Sequence, residues 1–125
     1  MIHLDTNFLV DLVTVGSPGG DRILAWLRAG KSVATSAVAW SEFCNGPLST
    51  AQKDAAYAVL DRNVLDFTCR QAEEASRIFN LSGRRRGSHA DCMIAAAAMT
   101  AGCALATLNW TDFERLIPFG LKLEG

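Results

Sequence analysis

Long apolar runs, paired cysteines and an excess of one charge are all missing from this chain of 125 residues. No stretch approaches the roughly 20 apolar residues that cross a bilayer; the most apolar, Cys92 to Met99, is short and alanine-rich. The four cysteines, Cys44, Cys69, Cys92 and Cys103, form no C-x-x-C pair, and the two histidines are not spaced with them as zinc ligands. Buried, reduced thiols are therefore expected rather than a zinc site or a disulfide framework. Twelve basic against thirteen acidic residues leave a net charge of −1. No overall field draws in nucleic acid, so any polyanion must be held by a local patch. Met1-Ile2-His3-Leu4-Asp5 has no basic region ahead of its apolar residues and meets an acid at once, unlike an export signal, which gives a cytoplasmic reading with no membrane contact.

What is present is ordinary for a globular protein. Half the residues are apolar and a fifth are charged, which excludes a disordered chain, a collagen-like repeat and a coiled coil. The length fits one domain, residues 1–125, large enough to bury a core without disulfides.

Short apolar segments alternate with helical patterns throughout. Strands are expected at Ile2 to Leu4, Ser32 to Thr35, Val64 to Phe67, Cys103 to Leu108 and, as a fifth, Gly120 to Leu123. Asn7 to Val13 can open a helix, and Gly16-Ser17-Pro18-Gly19-Gly20 reads as a break. A helix then follows Asp21, with Ile23, Leu24, Trp26 and Leu27 on one face and Gly30 at its end. Further helices are expected over Ala37 to Cys44, Ser49 to Leu60, Arg70 to Leu81, Ala90 to Thr100 and Thr111 to Leu116. The Ala90 to Thr100 helix is apolar on nearly every face and hence central. This order implies right-handed crossovers and an α/β/α sandwich around a short parallel sheet, with its crevice off the carboxyl ends of the strands.

Acids stand where that crevice must lie. Asp5 follows the first strand, Glu42 sits in the helix after the second, Asp91 opens the alanine-rich helix, and Asn109 and Asp112 follow the fourth strand. Clustered carboxylates repel one another unless a cation or protons neutralise them. Oxygen ligands without Cys or His favour Mg²⁺ or Mn²⁺, which suits hydrolysis of a phosphodiester. Each acid also has a purely local reading. Asp5 can cap the helix it precedes. Ser88 to Asp91 and Asn109 to Asp112 both have capping-box spacing. Glu42 lies among Val38, Ala39, Trp40, Phe43 and Cys44, where a carboxylate needs either a partner or a wet face.

Four blocks of this sequence resemble the signature of PIN-domain ribonucleases, and of the VapC-type toxins of toxin–antitoxin pairs in particular. They are Leu4-Asp5-Thr6-Asn7, Ser36 to Phe43, His89 to Ala96 and Thr107 to Phe113, in the family order and across nearly the whole chain. The resemblance implies a PIN-like α/β/α sandwich and a Mg²⁺- or Mn²⁺-dependent endoribonuclease. Its catalytic acids would be Asp5, Glu42, Asp91 and Asp112, with Asp5, Asp91 and Asp112 on the metal. Asn109 stands where many members have an acid, which moves the fourth carboxylate to Asp112. Thr6, Asn7, Thr107 and Asn109 would support the site through hydrogen bonds. The implied partners are RNA, a cognate antitoxin protein and a second copy of the chain, paired through the early helices, with Trp26 and Leu27 as a self-complementary patch.

Arg84-Arg85-Arg86 is the only block of three basic residues, and its glycine-flanked loop leads straight to Ser88 and Asp91. It is expected at the rim of the crevice, where the guanidinium fork grips RNA phosphates. A solvated loop and an antitoxin contact are the other readings of this block. Among competing functions, a receiver-type phosphoacceptor wants an acidic pair after the first strand and a lysine after the last. Here there is one acid, and Lys122 falls inside the final strand. A non-catalytic PIN module would be expected to lack Asp5 or Asp91, and both are present. A maturation nuclease remains open beside the toxin.

Overall fold

The computed structural model describes residues 1–125, and its elements alternate as the sequence pattern requires. They are β1 (Ile2–Leu4), α1 (Thr6–Leu12), α2 (Pro18–Arg28), β2 (Val33–Ser36), α3 (Ala37–Cys44), α4 (Thr50–Val59), β3 (Val64–Leu65), α5 (Cys69–Leu81), α6 (His89–Thr100), β4 (Ala104–Ala106) and α7 (Trp110–Glu114), with a closing 3-10 turn at Ile117–Phe119. All strand pairs are parallel, in the order β3-β2-β1-β4. β1 is central: Ile2 aligns with Val33 on one side and with Ala104 on the other, and Leu4 aligns with Ala106. The strand order reverses between β1 and β4, and that reversal opens a crevice at their carboxyl ends.

Helices cover the sheet because its strands are buried on both faces, as crossover connections require. α1 packs on α2 and α3, and α5 pairs with α6. α6 buries Cys92, Ile94 and the run Ala95 to Ala98, whose small side chains let the helix approach its neighbours closely. A single cluster of 22 buried residues, among them Phe8, Leu9, Ile78, Ile94, Leu105 and Phe113, forms one core. None of the helices is long and apolar enough to cross a membrane.

Several boundaries differ from the sequence expectation. The glycine-rich break is in fact the start of α2: Ser17 caps it by accepting from the Gly20 amide, and Pro18 occupies its first turn. Glycine is required there for space, since a Cβ on Gly19 would stand 2.8 Å from the Asp11 Cβ. β3 and β4 end earlier than expected, at Leu65 and Ala106; beyond β4, Thr107 turns its hydroxyl to Asp5. The fifth strand reduces to one bridge, Leu105 to Leu123, since the turn at Ile117–Phe119 and Gly120 at φ 117° use up the chain that would have extended it. The four cysteines are all unpaired, but only Cys92 is buried; Cys44 and Cys69 are exposed.

Candidate active site

The site is assembled where β1, β2 and β4 end and α6 begins. Asp5 is the first residue after β1 and is buried, at 6% exposure. Its Oδ1 accepts from the Thr6 amide at 2.7 Å, so it does cap α1. Its Oδ2 accepts from the Thr107 hydroxyl, also at 2.7 Å, which ties β1 to β4. Thr107 Oγ1 accepts in turn from the Asn109 amide at 3.0 Å and from Asn7 Nδ2 at 3.5 Å, while Asn7 Oδ1 accepts from the Leu108 amide at 3.1 Å. Thr6 links the next acid, its hydroxyl donating to Glu42 Oε1 at 2.7 Å. Glu42 thus stands on the wet side of α3 and leans over the crevice rather than into the core.

Asp91 sits in the first turn of α6 but is not part of a capping box. Ser88 makes no side-chain cap; its hydroxyl donates back to the Arg85 carbonyl at 2.6 Å. The box spacing is present, but the loop conformation turns Ser88 away, which leaves the Asp91 carboxylate to the crevice. Asn109 likewise gives α7 no side-chain cap, and its Nδ2 donates to Asp112 Oδ2. The amide that replaces an acid here therefore holds the acid three residues on.

Asp5 and Asp91 respond to the acids around them. Burial raises Asp5 above the ordinary carboxyl range, against the hydrogen bonds from Thr107 and Thr6 that lower it, and Glu42 and Asp112 push it further up. Asp91 is raised to about 6, first by burial and then by Asp5, Asp112 and Glu42, with Arg115 opposing. His3, buried in β1, is pushed down to about 4 by burial and is neutral near pH 7. The available donors are thus all oxygens. As placed, no three His, Cys, Asp or Glu side chains stand close enough together to hold a metal ion between them. Such an open, all-carboxylate array fits a hydrated Mg²⁺ or Mn²⁺ that keeps several waters, and does not fit zinc.

The arginine block divides. Arg84, at φ 55°, folds back on α5, where its guanidinium lies 5.4 Å from the Phe79 ring centre and donates to Asn80 Oδ1. It is committed to that helix, contrary to the expectation that all three reach the crevice rim. Arg85 lies 3.6 Å from Asp112 Oδ1. Arg86 is exposed and, with Arg85, borders a small polar cavity beside Asp91 and Asp112.

Arg115, in the same cavity wall, is the residue that sequence reading missed. Its signal was an arginine between Phe113 and Leu116, two residues of buried type, one helical turn after Asp112. The expected dimer patch is also not free. Trp26 stacks on Phe8 at 5.6 Å, and both Trp26 and Leu27 pack against the core.

A PIN domain family model matches residues 2–116. The chain belongs to the PIN domain family. Among solved structures, this PIN domain is similar to FitAcB from Neisseria gonorrhoeae at 21% identity and a TM-score of 0.73, over 100% of this chain and 97% of that one. It is similar to DNA-bound VapBC from Salmonella typhimurium at 26% identity and a TM-score of 0.69, over 98% and 96%. It is also similar to VapC20 from Mycobacterium tuberculosis, described as a sarcin-ricin loop cleaving toxin, at 20% identity and a TM-score of 0.63, over 91% and 94%. No curated protein matches it. The four blocks singled out in the sequence all fall within the matched span, and Asp112 and Arg115 close to its end.

Proposed function

We propose that this PIN domain is a metal-dependent endoribonuclease acting in the cytoplasm as the toxin of a toxin–antitoxin pair. The observation that carries the reading is a crevice that gathers carboxylates from four separate segments, in which Asp5 and Asp91 are raised above the ordinary carboxyl range, first by burial and then by their acidic neighbours. Such mutual repulsion is retained in a fold when a cation or a charged transition state is to be balanced. Asp5, Asp91 and Asp112 would hold Mg²⁺ or Mn²⁺. When bound, the ion supplies a water of lowered pKa and neutralises charge on the phosphate oxygens.

The remaining roles fall to the chain's own side chains. Glu42 keeps one carboxylate oxygen on the Thr6 hydroxyl, which orients the other to take a proton from the attacking water. Thr107 and Asn109 fix Asp5 and Asp112 in position. RNA of the tRNA, rRNA or mRNA class is the substrate that fits an acidic crevice with arginines at its rim. The antitoxin assignment is supported by the FitAcB and VapBC complexes, which this chain resembles along its full length.

The direct test incubates the purified protein with total RNA and Mg²⁺ or Mn²⁺ and maps the new 5′ ends. Discrete cuts are expected, lost on chelation, and reduced by more than about 100-fold in Asp5→Asn and in Asp91→Asn with folding intact. Cleavage by Asp91→Asn at the wild-type rate would overturn the assignment.

A further inference from the structure

The polar cavity beside the carboxylates has features the hydrolytic site does not use. It measures about 70 Å³ and lies between the loop Arg85 to Ser88, Asp91, Asp112 and Arg115. Arg115, one of the lining residues, donates from Nη1 to Ser82 Oγ at 3.1 Å, while its Nε and Nη2 are buried with no nitrogen or oxygen partner. It forms no ion pair with Asp91 or Asp112. Buried guanidinium donors without partners are destabilising unless a ligand supplies acceptors. The 12-residue helix α6 starts at this cavity without a side-chain cap, because Ser88 bonds to Arg85 instead, so the positive end of the helix and its first amides remain available. Arg86, exposed at the mouth, makes no ion pair.

We propose that this cavity is a phosphate-binding subsite, in which Arg115, Arg86 and the first amides of α6 hold an RNA backbone phosphate adjoining the one that is hydrolysed. Its occupant must be a small anion that only accepts hydrogen bonds. A cavity of about 70 Å³ with an entirely polar lining admits a group the size of a phosphate. Three arginines against two carboxylates leave it net positive beside an acidic crevice. An arginine in the cavity wall suits a phosphate, because the guanidinium fork matches phosphate oxygens. Arg115 and Arg86 are thus substrate-positioning residues. The RNA identity of the occupant rests on the nuclease reading above; anion binding itself does not.

The test has two arms on the whole protein. In the first, inorganic phosphate is titrated by NMR into wild type, Arg115→Met and Arg86→Ala, with melting curves as the folding control. Saturable binding is expected in wild type, weakened about 10-fold or more in either variant, a loss in line with about 1.4 kcal/mol for a charge-assisted contact. No saturable binding, or equal affinity in all three proteins, would overturn the subsite. Should Arg115→Met not fold, the exposed Arg86→Ala decides this arm alone.

In the second arm, single-stranded RNA is bound to the same variants in an Asp5→Asn background across salt concentrations. Each lost contact should flatten the salt slope by about 0.7, while Mn²⁺ affinity in the Asp5-containing proteins stays unchanged. Phosphate binding lost without a change of RNA slope would confine the cavity to free phosphate and overturn its role towards RNA. Both arms as expected, with RNA left uncut under every metal, would keep the subsite and refute the nuclease instead.

Discussion

At pH 5 the folded chain holds a proton on Asp91 that the unfolded chain has largely released. Its carboxyl is raised from the ordinary 3.8 to about 6, so between these values folding takes up a proton. The protonated carboxyl favours the fold below about pH 4, where both states carry it, and that contribution is lost as pH rises through about 6. Above it, the folded state holds a half-buried negative charge facing Asp5, Asp112 and Glu42. Asp91→Asn, which mimics the protonated form, should therefore be more stable than wild type at pH 7.5 in urea unfolding without metal. The difference should vanish below about pH 4. Added Mn²⁺ should stabilise wild type at pH 7.5 and do little for the variant, because the ion and the amide relieve the same repulsion. Equal urea midpoints at pH 7.5 would show that the carboxylates are screened and do not form one electrostatic unit. The residue types in the four blocks made this cluster legible in the sequence, but not its hydrogen bonding: Ser88 has the spacing of a cap and faces Arg85.

Element by element, capping chemistry and periodicity located most of the helices. Ser49 and Thr68 form true capping boxes with Gln52 and Gln71, and α6 is buried as its alanine run implies. The start of α2 was misplaced because glycine reads as a break, whereas here it permits contact. The Gly19 amide donates to Asp11 Oδ2 at 3.0 Å, and a Cβ on Gly19 would meet Asp11 Oδ2 at 2.4 Å. Alanine in an open helix position normally stabilises by up to about 1 kcal/mol. Gly19→Ala should instead destabilise by about 1–3 kcal/mol, the usual penalty of overpacking, as a lowered denaturation midpoint. A neutral or stabilising effect would mean that α2 can move off α1 freely.

For the whole molecule, the balanced charge and single core were evident in composition, while the surface that meets a partner was not. Periodicity put Trp26 and Leu27 forward, yet both pack inward. The exposed apolar side chains of the early helices are Val10 at 48% and Leu24 at 47%, with fully exposed Val15 between them. Val15 and Leu24 border one surface cleft between α1 and α2, and grouped apolar side chains of this kind suit contact with a partner. We propose a homodimer through this face: wild type should sediment as a dimer at micromolar concentration, and Leu24→Asp should shift it to monomer. A wild type that sediments only as monomer would remove the dimer.

The sequence by itself determined the alternation of strands and helices and set Asp5, Glu42, Asp91 and Asp112 close after the strands or at the helix starts, because periodicity and residue chemistry are local properties. Tertiary structure alone decided which polar groups those acids meet. Thr107 reaches Asp5 across 102 positions of chain, and Arg115 arrives beside Asp91 only once α7 docks against α6. Spacing along a chain cannot encode such partners; the β1–β4 strand reversal and the packing of α7 against α6 bring them together.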